Sequence, residues 1–593
     1  MKKLLLAVAL CFVFLASRSV DETNMKVKNF YLDQLNQIED NILLLKKSVI
    51  RKDEKEIKYS YSKLRHHFKQ IEFLIAYGDK EFYLKFINGA PLPKLEKKAP
   101  EVRIILPSGL QVIDELVADE NFSEILPQLD QLSKNFKNLK EGSVNLIFSD
   151  EFILAAIHYQ LIRDYTLGLT GFDTPGTLCA LTDVQNSVKG ILFVLSQMDN
   201  NVPEKLVTTL KNGQKFVEQN RDFNTFDRAR YYKEIWQPSF ESLVSTYNLM
   251  GVEMSSSIRN MPWEINFNST QLFDTDLFNI QAFIDFNKAD FNKNSVSLGE
   301  RLFFETGLSS NGKMACATCH NPSIAFTDGL AKSKSSNGES TVSRNAPTLL
   351  NSVLAKRFFY DLRAEKLSLQ FEHVVFSDDE FNTTLLEIFQ KLGNDNSYIL
   401  DFKKAFPAHN SKPINIYTFK TALSSYLASL TKFDSEFDSY MKGQSELDAN
   451  AVAGYNLFMG KAACGTCHFA PTFSGLVPPY YDDTESEVLG VPADKMYKNI
   501  DSDMGRYSDK LPKEKVDFYK YSFKTVTVRH SKETGPYMHN GVFDTLEEVM
   551  TFYNNGGGVG HGFDLKYQTL GSDSLQLSEM EQKQIIAFLS SLD

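Results

Sequence analysis

No run limits this chain more than Cys316-Ala317-Thr318-Cys319-His320, and it recurs as Cys464-Gly465-Thr466-Cys467-His468. Two thiols three positions apart can add across the two vinyl groups of a haem, and the histidine that follows is then held under the iron as proximal ligand. Each pentapeptide therefore specifies one covalently attached haem c, with His320 and His468 on the two irons. A zinc or thioredoxin-type cysteine pair is the competing chemistry. Zinc would want two further Cys or His ligands per site, and a redox disulfide has no use for the histidine. The lead-ins agree too: Gly299-x-x-Leu302-Phe303 precedes the first copy and Gly454-x-x-Leu457-Phe458 the second. The copies stand a domain's length apart, which reads as a duplicated haem domain and not a solenoid.

Haem attachment of this kind happens outside the cytoplasm, and the N-terminus fits that. Met1-Lys2-Lys3, an apolar run Leu4 to Leu15 and the small residues Ala16, Ser17 and Ser19 read as a secretory signal over residues 1–19, giving an exported, periplasmic protein. Cys11 follows Leu10, where a lipoprotein signal wants a small residue, so no lipid anchor is expected. No later stretch reaches about 18 consecutive apolar residues, so no membrane span is expected in the mature chain. Cleavage leaves four haem cysteines and Cys179, which is assigned no role. The net charge of −11 argues against nucleic acid and is compatible with a basic donor protein.

At 593 residues the chain is long enough for several cores. Residues 20–262 read as a helical domain of unknown role. A helical pattern runs from Asn29 to about Tyr77, with stripes Leu35, Ile38, Ile42, Leu45 and Ile57, Tyr61, Leu64, Phe68, Ile71, and Gly78 as a stop. Asn88 to Pro93 is a loop, and helices follow over Phe148–Tyr165 and Thr182–Met198. His66, His67 and His158 with Glu39 and Glu72 could form a metal site, but are read as ordinary residues of polar helix faces. The segment Leu64 to Glu72 and the Asn88 to Pro93 loop faintly resemble imelysin-type proteins, too thinly to carry a function. A linker is expected around Ser255–Thr270, then a first haem domain over 270–442 and a second over 445–593. The glycine-rich run before His561 follows no strand and precedes no Lys-Ser/Thr, so it is not a phosphate cradle.

Between and after the pentapeptides stand Asn321-Pro322-x-x-Ala325-Phe326-Thr327-Asp328-Gly329, Arg344-Asn345-Ala346-Pro347-Thr348, Phe359-Tyr360-Asp361-Leu362-Arg363, Phe523-Lys524-Thr525 and Gly535-Pro536-Tyr537-Met538-His539-Asn540-Gly541. In this order they resemble the bacterial di-haem cytochrome c peroxidases and the related MauG-type enzymes, over about residues 270–593. The resemblance implies an all-α pair of cytochrome-c-like domains. Peroxide reacts at the first haem, and the second receives electrons from a cytochrome c or similar redox protein; a homodimer is compatible with it. It places Gln370 and Glu380 over the open face of the first haem. There Glu380 can take a proton from one peroxide oxygen and return it to the other. Gln370 can hold the peroxide by its amide hydrogens.

The resemblance implies further ligands. Tyr553 stands fourteen residues after His539, where MauG-type members ligate the second iron with tyrosine and ordinary peroxidases with methionine; Met538 and Met550 are the off-register alternatives. A calcium ion is implied at Asn345, Thr534 and Pro536, whose oxygens suit a hard cation. Tyr360 stands where the family has a tryptophan between the haems, and Trp236 and Trp263 both lie upstream. No histidine occurs from Asn321 to Thr348 to cap the first haem, and His373 is read as a packing residue. The expected activity is peroxide reduction. The alternatives are a MauG-like oxidation of a protein or organic substrate and, from another class, a plain electron-transfer cytochrome.

Overall fold

Lys2–Arg51 and Glu54–Gly78 form the first two helices of the computed structural model, which describes residues 2–96, 99–198, 202–254 and 263–593. The helical stretch expected as one run over Asn29–Tyr77 is thus two helices. Lys52 adopts a left-handed conformation (φ 57°), and the Asp53 carboxylate caps the second helix by accepting the Glu56 amide at 3.1 Å. The two apolar stripes then face a common core. Leu35, Ile38, Ile42 and Leu45 are fully buried, as are Ile57, Leu64, Phe68 and Ile71, each worth about 1.5–3 kcal/mol relative to exposure. The second helix ends at Gly78, as expected.

The chain forms two compact units: residues 1–255 with 267–272 and 459–466, and residues 256–266 with 273–458 and 467–593. The expected linker falls partly on residues 255–262, outside the described residues. The first unit continues through helices Leu110–Ala118, Phe122–Gly142, Asp150–Thr166, Ala180–Leu195, Glu204–Gln219 and Gln237–Met250. Its core is charged. Lys69 Nζ donates to Glu72 (2.8 Å) and Asp173 (2.7 Å), Arg163 pairs with Asp173, Arg65 with Asp183, and Tyr83 donates to Glu72 at 2.7 Å. Glu72 and His158, read from sequence as residues of solvated faces, are fully buried. Apart from Lys69, their partners come from outside their own helices, and His158 Nδ1 lies 2.6 Å from the Tyr247 hydroxyl. His66 and His67 are half-buried against Asn186 and Gln34, and Glu39 pairs with Lys140. Among the described residues no group of three or more His, Cys, Asp or Glu is placed to hold a metal.

The second unit rests on two helix crossings. Helix Lys293–Phe303 meets helix Ile416–Ser429 so closely that a Cβ on Gly299 would lie 1.9 Å from the Ala422 carbonyl oxygen. Helix Ala449–Phe458 meets Glu579–Ser590 in the same way, with a Cβ on Gly454 1.9 Å from the Gln584 oxygen. Each lead-in glycine is therefore a contact point where only bare backbone fits. Asp438 and Arg529 form a buried two-bond ion pair, both bonds 2.8 Å, in this unit; losing one partner of such a pair costs about 3–5 kcal/mol. Helices dominate the described residues, and strands are confined to two short antiparallel ladders, Lys94–Leu95 with Ile104–Ile105 and Ser486–Val488 with Ser522–Lys524. The fold is all-α as expected. No helix among the described residues is long and apolar enough to cross a membrane.

Candidate functional site: the two haem-attachment motifs

Cys316–Cys319 is a single helical turn opened by Ala315, whose amide donates to Thr318 Oγ1 at 3.0 Å. Met314 anchors the turn in an apolar cluster with Leu302, Leu308, Val375 and Phe381, and Cys316 packs against that cluster. His320 Nδ1 donates to the Phe326 carbonyl at 3.0 Å, so the lone pair sits on Nε2. Burial holds its imidazole below the usual range. Burial also pushes the Cys316 thiol up to about 12, helped by Cys319 and the Glu380 carboxylate, and Cys319 to about 11, with Asp328 and Glu380 adding.

The second motif is built differently. Cys464–Thr466 is a tight turn closed by the Thr466 amide on the Ala463 carbonyl at 3.1 Å. Burial raises the Cys464 thiol to about 12 with no charged neighbour contributing. His468 Nδ1 lies 3.1 Å from the Val526 carbonyl and 3.3 Å from that of Phe473. Both partners are acceptors, so Nδ1 carries the hydrogen here too, and burial lowers this imidazole to about 4. In each motif the histidine presents Nε2 for iron ligation, and among the described residues no further His, Cys, Asp or Glu joins the cysteines to complete a zinc site. The residues present fit one c-type haem at each motif.

The other expected site residues fall as follows. Gln370 is half-exposed on helix Leu367–Val375, and the chain then folds back: Phe381 N donates to the Val374 carbonyl (3.3 Å) and Thr383 N to that of Val375 (3.0 Å). This fold-back brings Glu380 into the electrostatic reach of both first-motif thiols. Burial raises its carboxyl above the ordinary range, against the pull of Ser377, Arg363 and Lys510. His373 meets the Phe359 ring edge-on at 5.5 Å, consistent with packing. Tyr553 is half-buried in the last turn of helix Leu546–Asn554, where Met550 is fully buried. Asn345 Nδ2 donates to the Leu330 carbonyl at 2.9 Å, and its backbone amide donates to the His539 carbonyl at 2.8 Å. The Tyr360 hydroxyl stands 3.5 Å from Asn345 Oδ1.

Charge pairs around Tyr360 were not foreseen. Arg344 joins Asp361 (2.8 Å) to Asp503 (2.6 Å), and Arg363 holds Asp361 at 2.9 Å while lying 3.5 Å over the Phe359 ring. The Phe523 ring stacks on His539 at 3.6 Å, and burial pushes the Lys524 amine down to about 8. Arg344, Arg363 and Lys524 all lie inside the motifs quoted above, so the signal was present. What the motifs lack is any indication of pairing.

The family model for di-haem cytochrome c peroxidase matches residues 293–446. The methylamine utilization protein MauG of Methylorubrum extorquens is 31% identical over 298 residues, which cover 50% of this chain and 77% of that protein. Cytochrome-c peroxidase IdrP2 of Pseudomonas sp. (strain SCT) is 32% identical, covering 51% and 82%. Cytochrome c551 peroxidase of Pseudomonas aeruginosa is 30% identical, covering 50% and 77%. Among solved structures, a MauG-like protein associated with microbial copper homeostasis shares 27% identity with a TM-score of 0.43, over 51% of this chain and 89% of that one. The fold and paired motifs define a di-haem c protein of the peroxidase class. The chain belongs to the di-haem cytochrome c peroxidase and MauG family.

Proposed function

We propose that this is a periplasmic di-haem peroxidase that reduces hydrogen peroxide to two waters, taking two protons from the medium and two electrons from a cytochrome c or similar redox protein. The observation that carries the reading is Glu380, a half-buried carboxyl with raised proton affinity, electrostatically coupled to the thiols of one attachment motif and absent from the other. The haems, when bound, supply an iron that takes peroxide at the first motif and a relay for donor electrons at the second. Glu380 takes the proton of the near peroxide oxygen and hands it to the far one, so that water leaves. Gln370 orients the peroxide through its amide hydrogens. His320 and His468, each fixed in one tautomer by backbone carbonyls, present Nε2 to the irons. The Lys524 amine, poised near neutrality by burial, offers a counter-charge for a haem carboxylate.

Residues 270–442 and 445–593 make the two haem domains in this reading, after a signal over 1–19 and the helical domain over 20–262. Tyr553 ligates the second iron. A calcium ion takes Asn345 Oδ1, whose amide nitrogen is already committed to Leu330, with the Thr534 and Pro536 carbonyls. Tyr553 and the histidine-free segment Asn321–Thr348 also favour a second reading, MauG-like oxidation of a protein or organic substrate. Steady-state peroxide consumption by the holoprotein, with ferrocytochrome c or with small organic reductants, tests both. Turnover with ferrocytochrome c is expected. Turnover with organic reductants alone would select the second reading, and no reaction of either haem with peroxide would leave an electron carrier and overturn both.

A further inference from the structure

A cavity of about 230 Å³ in the second unit is lined by Asp285, Phe286, Ser368, Ile416, Tyr417 and Lys420, and none of these has a place in the reading above. Three of its donors face acceptors of the protein. Ser368 Oγ donates to Asp285 Oδ2 and the Tyr417 hydroxyl to Asp290, each at 2.5 Å, while Lys420 is paired with Glu372. The Asn287 amide, 3.3 Å away, occupies the Tyr417 oxygen. What remains unspent is the second oxygen of the exposed Asp285, and the hydroxyl of Ser424, a fully buried lining residue with no hydrogen-bond partner in the protein, which can accept as well as donate. Behind the lining pair Asp285 and Lys420 stand two further carboxylates, Asp290 on the Tyr417 hydroxyl and Glu372 on the Lys420 ammonium. Phe286 and Ile416 supply apolar wall.

We propose that this cavity binds a small organic cation, an ammonium or guanidinium on a short apolar stem. The head takes the free oxygen of Asp285, and the stem lies along Phe286 and Ile416, where an aromatic face adds attraction for positive charge. Local charge works against an anion. The volume admits a ligand of about ten heavy atoms, below the usual drug-sized range.

Calorimetric titration of the holoprotein with benzylamine, phenylguanidine, benzyl alcohol and benzoate tests this. One of the two cations should bind, and Asp285→Asn, at an exposed position where the fold is not at risk, should weaken it about tenfold, the usual worth of a charge-assisted hydrogen bond. Ile416→Trp, half-exposed at the rim, should block it, with haem content and far-UV circular dichroism unchanged. Benzyl alcohol binding as tightly as benzylamine, any benzoate binding, indifference to Asp285→Asn, or no heat from either cation at millimolar concentration would each overturn the proposal.

Discussion

The two attachment motifs share four of five residues, both thiols and the histidine among them, yet their surroundings differ in kind. Around Cys316 and Cys319 two carboxylates, Asp328 and Glu380, act on the thiols, and the apolar cluster beneath them runs directly into the turn that carries Glu380. Around Cys464 burial alone sets the thiol, and His468 is fixed by two uncharged carbonyls. The pentapeptide therefore dictates attachment and leaves chemistry to the neighbourhood. A site with a proton carrier can cleave an O–O bond, and one without is suited to passing electrons.

The sharpest way to break this contrast is to remove one motif at a time. Cys316→Ala/Cys319→Ala should halve the haem content read by pyridine haemochrome and abolish reaction with peroxide. Cys464→Ala/Cys467→Ala should halve it equally, keep a single-turnover reaction with peroxide and lose turnover with ferrocytochrome c. Identical phenotypes would erase the division of labour. Next in size, Glu380→Gln should keep both haems and slow peroxide cleavage by ~10²–10⁴, the usual worth of a positioned acid–base group. In the proposed mechanism the base form of Glu380 takes the proton, and its carboxyl is raised, so the wild-type rate should fall as pH drops through that raised value. In Glu380→Gln that acid limb should disappear, and an unchanged rate and pH profile would remove Glu380 from the mechanism.

A smaller effect tests the second site. Tyr553→Met should raise the potential of that haem by on the order of 100 mV, within the ~0.8 V that axial ligands command, because a thioether prefers the reduced metal. Tyr553→Phe should leave its iron five-coordinate or water-bound. If the electron paramagnetic resonance signal and potential survive Tyr553→Phe but collapse in Met538→Leu or Met550→Leu, the tyrosine assignment is lost.

The two attachment motifs could be read from residues in order, because the attachment chemistry is local: five consecutive residues hold two bonds and a ligand. The resemblance pointed to Glu380 ten residues after Gln370, but its raised carboxyl sits in a turn that folds back on Val374 and Val375, which that spacing does not reveal. The first unit was legible as helices, down to its buried stripes, but its charged core was not. Lys69 meets Asp173 across 104 residues of sequence, and a lysine on a helix looks the same whether it faces water or two carboxylates. The break at Lys52 was hidden for a related reason: the apolar period resumes after it with hardly a gap. The cavity beside Ser368 joins residues from three separate segments, none of which carries a motif.

Gly299 and Gly454 bear on how one kind of helix crossing can carry two different surroundings. At each crossing the tolerance is set by an absent methyl group: the partner carbonyl lies where a β-carbon would be. A constraint made of empty space asks nothing of the loops that hang from the helices, so inheritance of the frame and invention at the haem faces are governed by different atoms. The surroundings of His468 and of His320 can differ without disturbing either crossing, provided both positions stay bare.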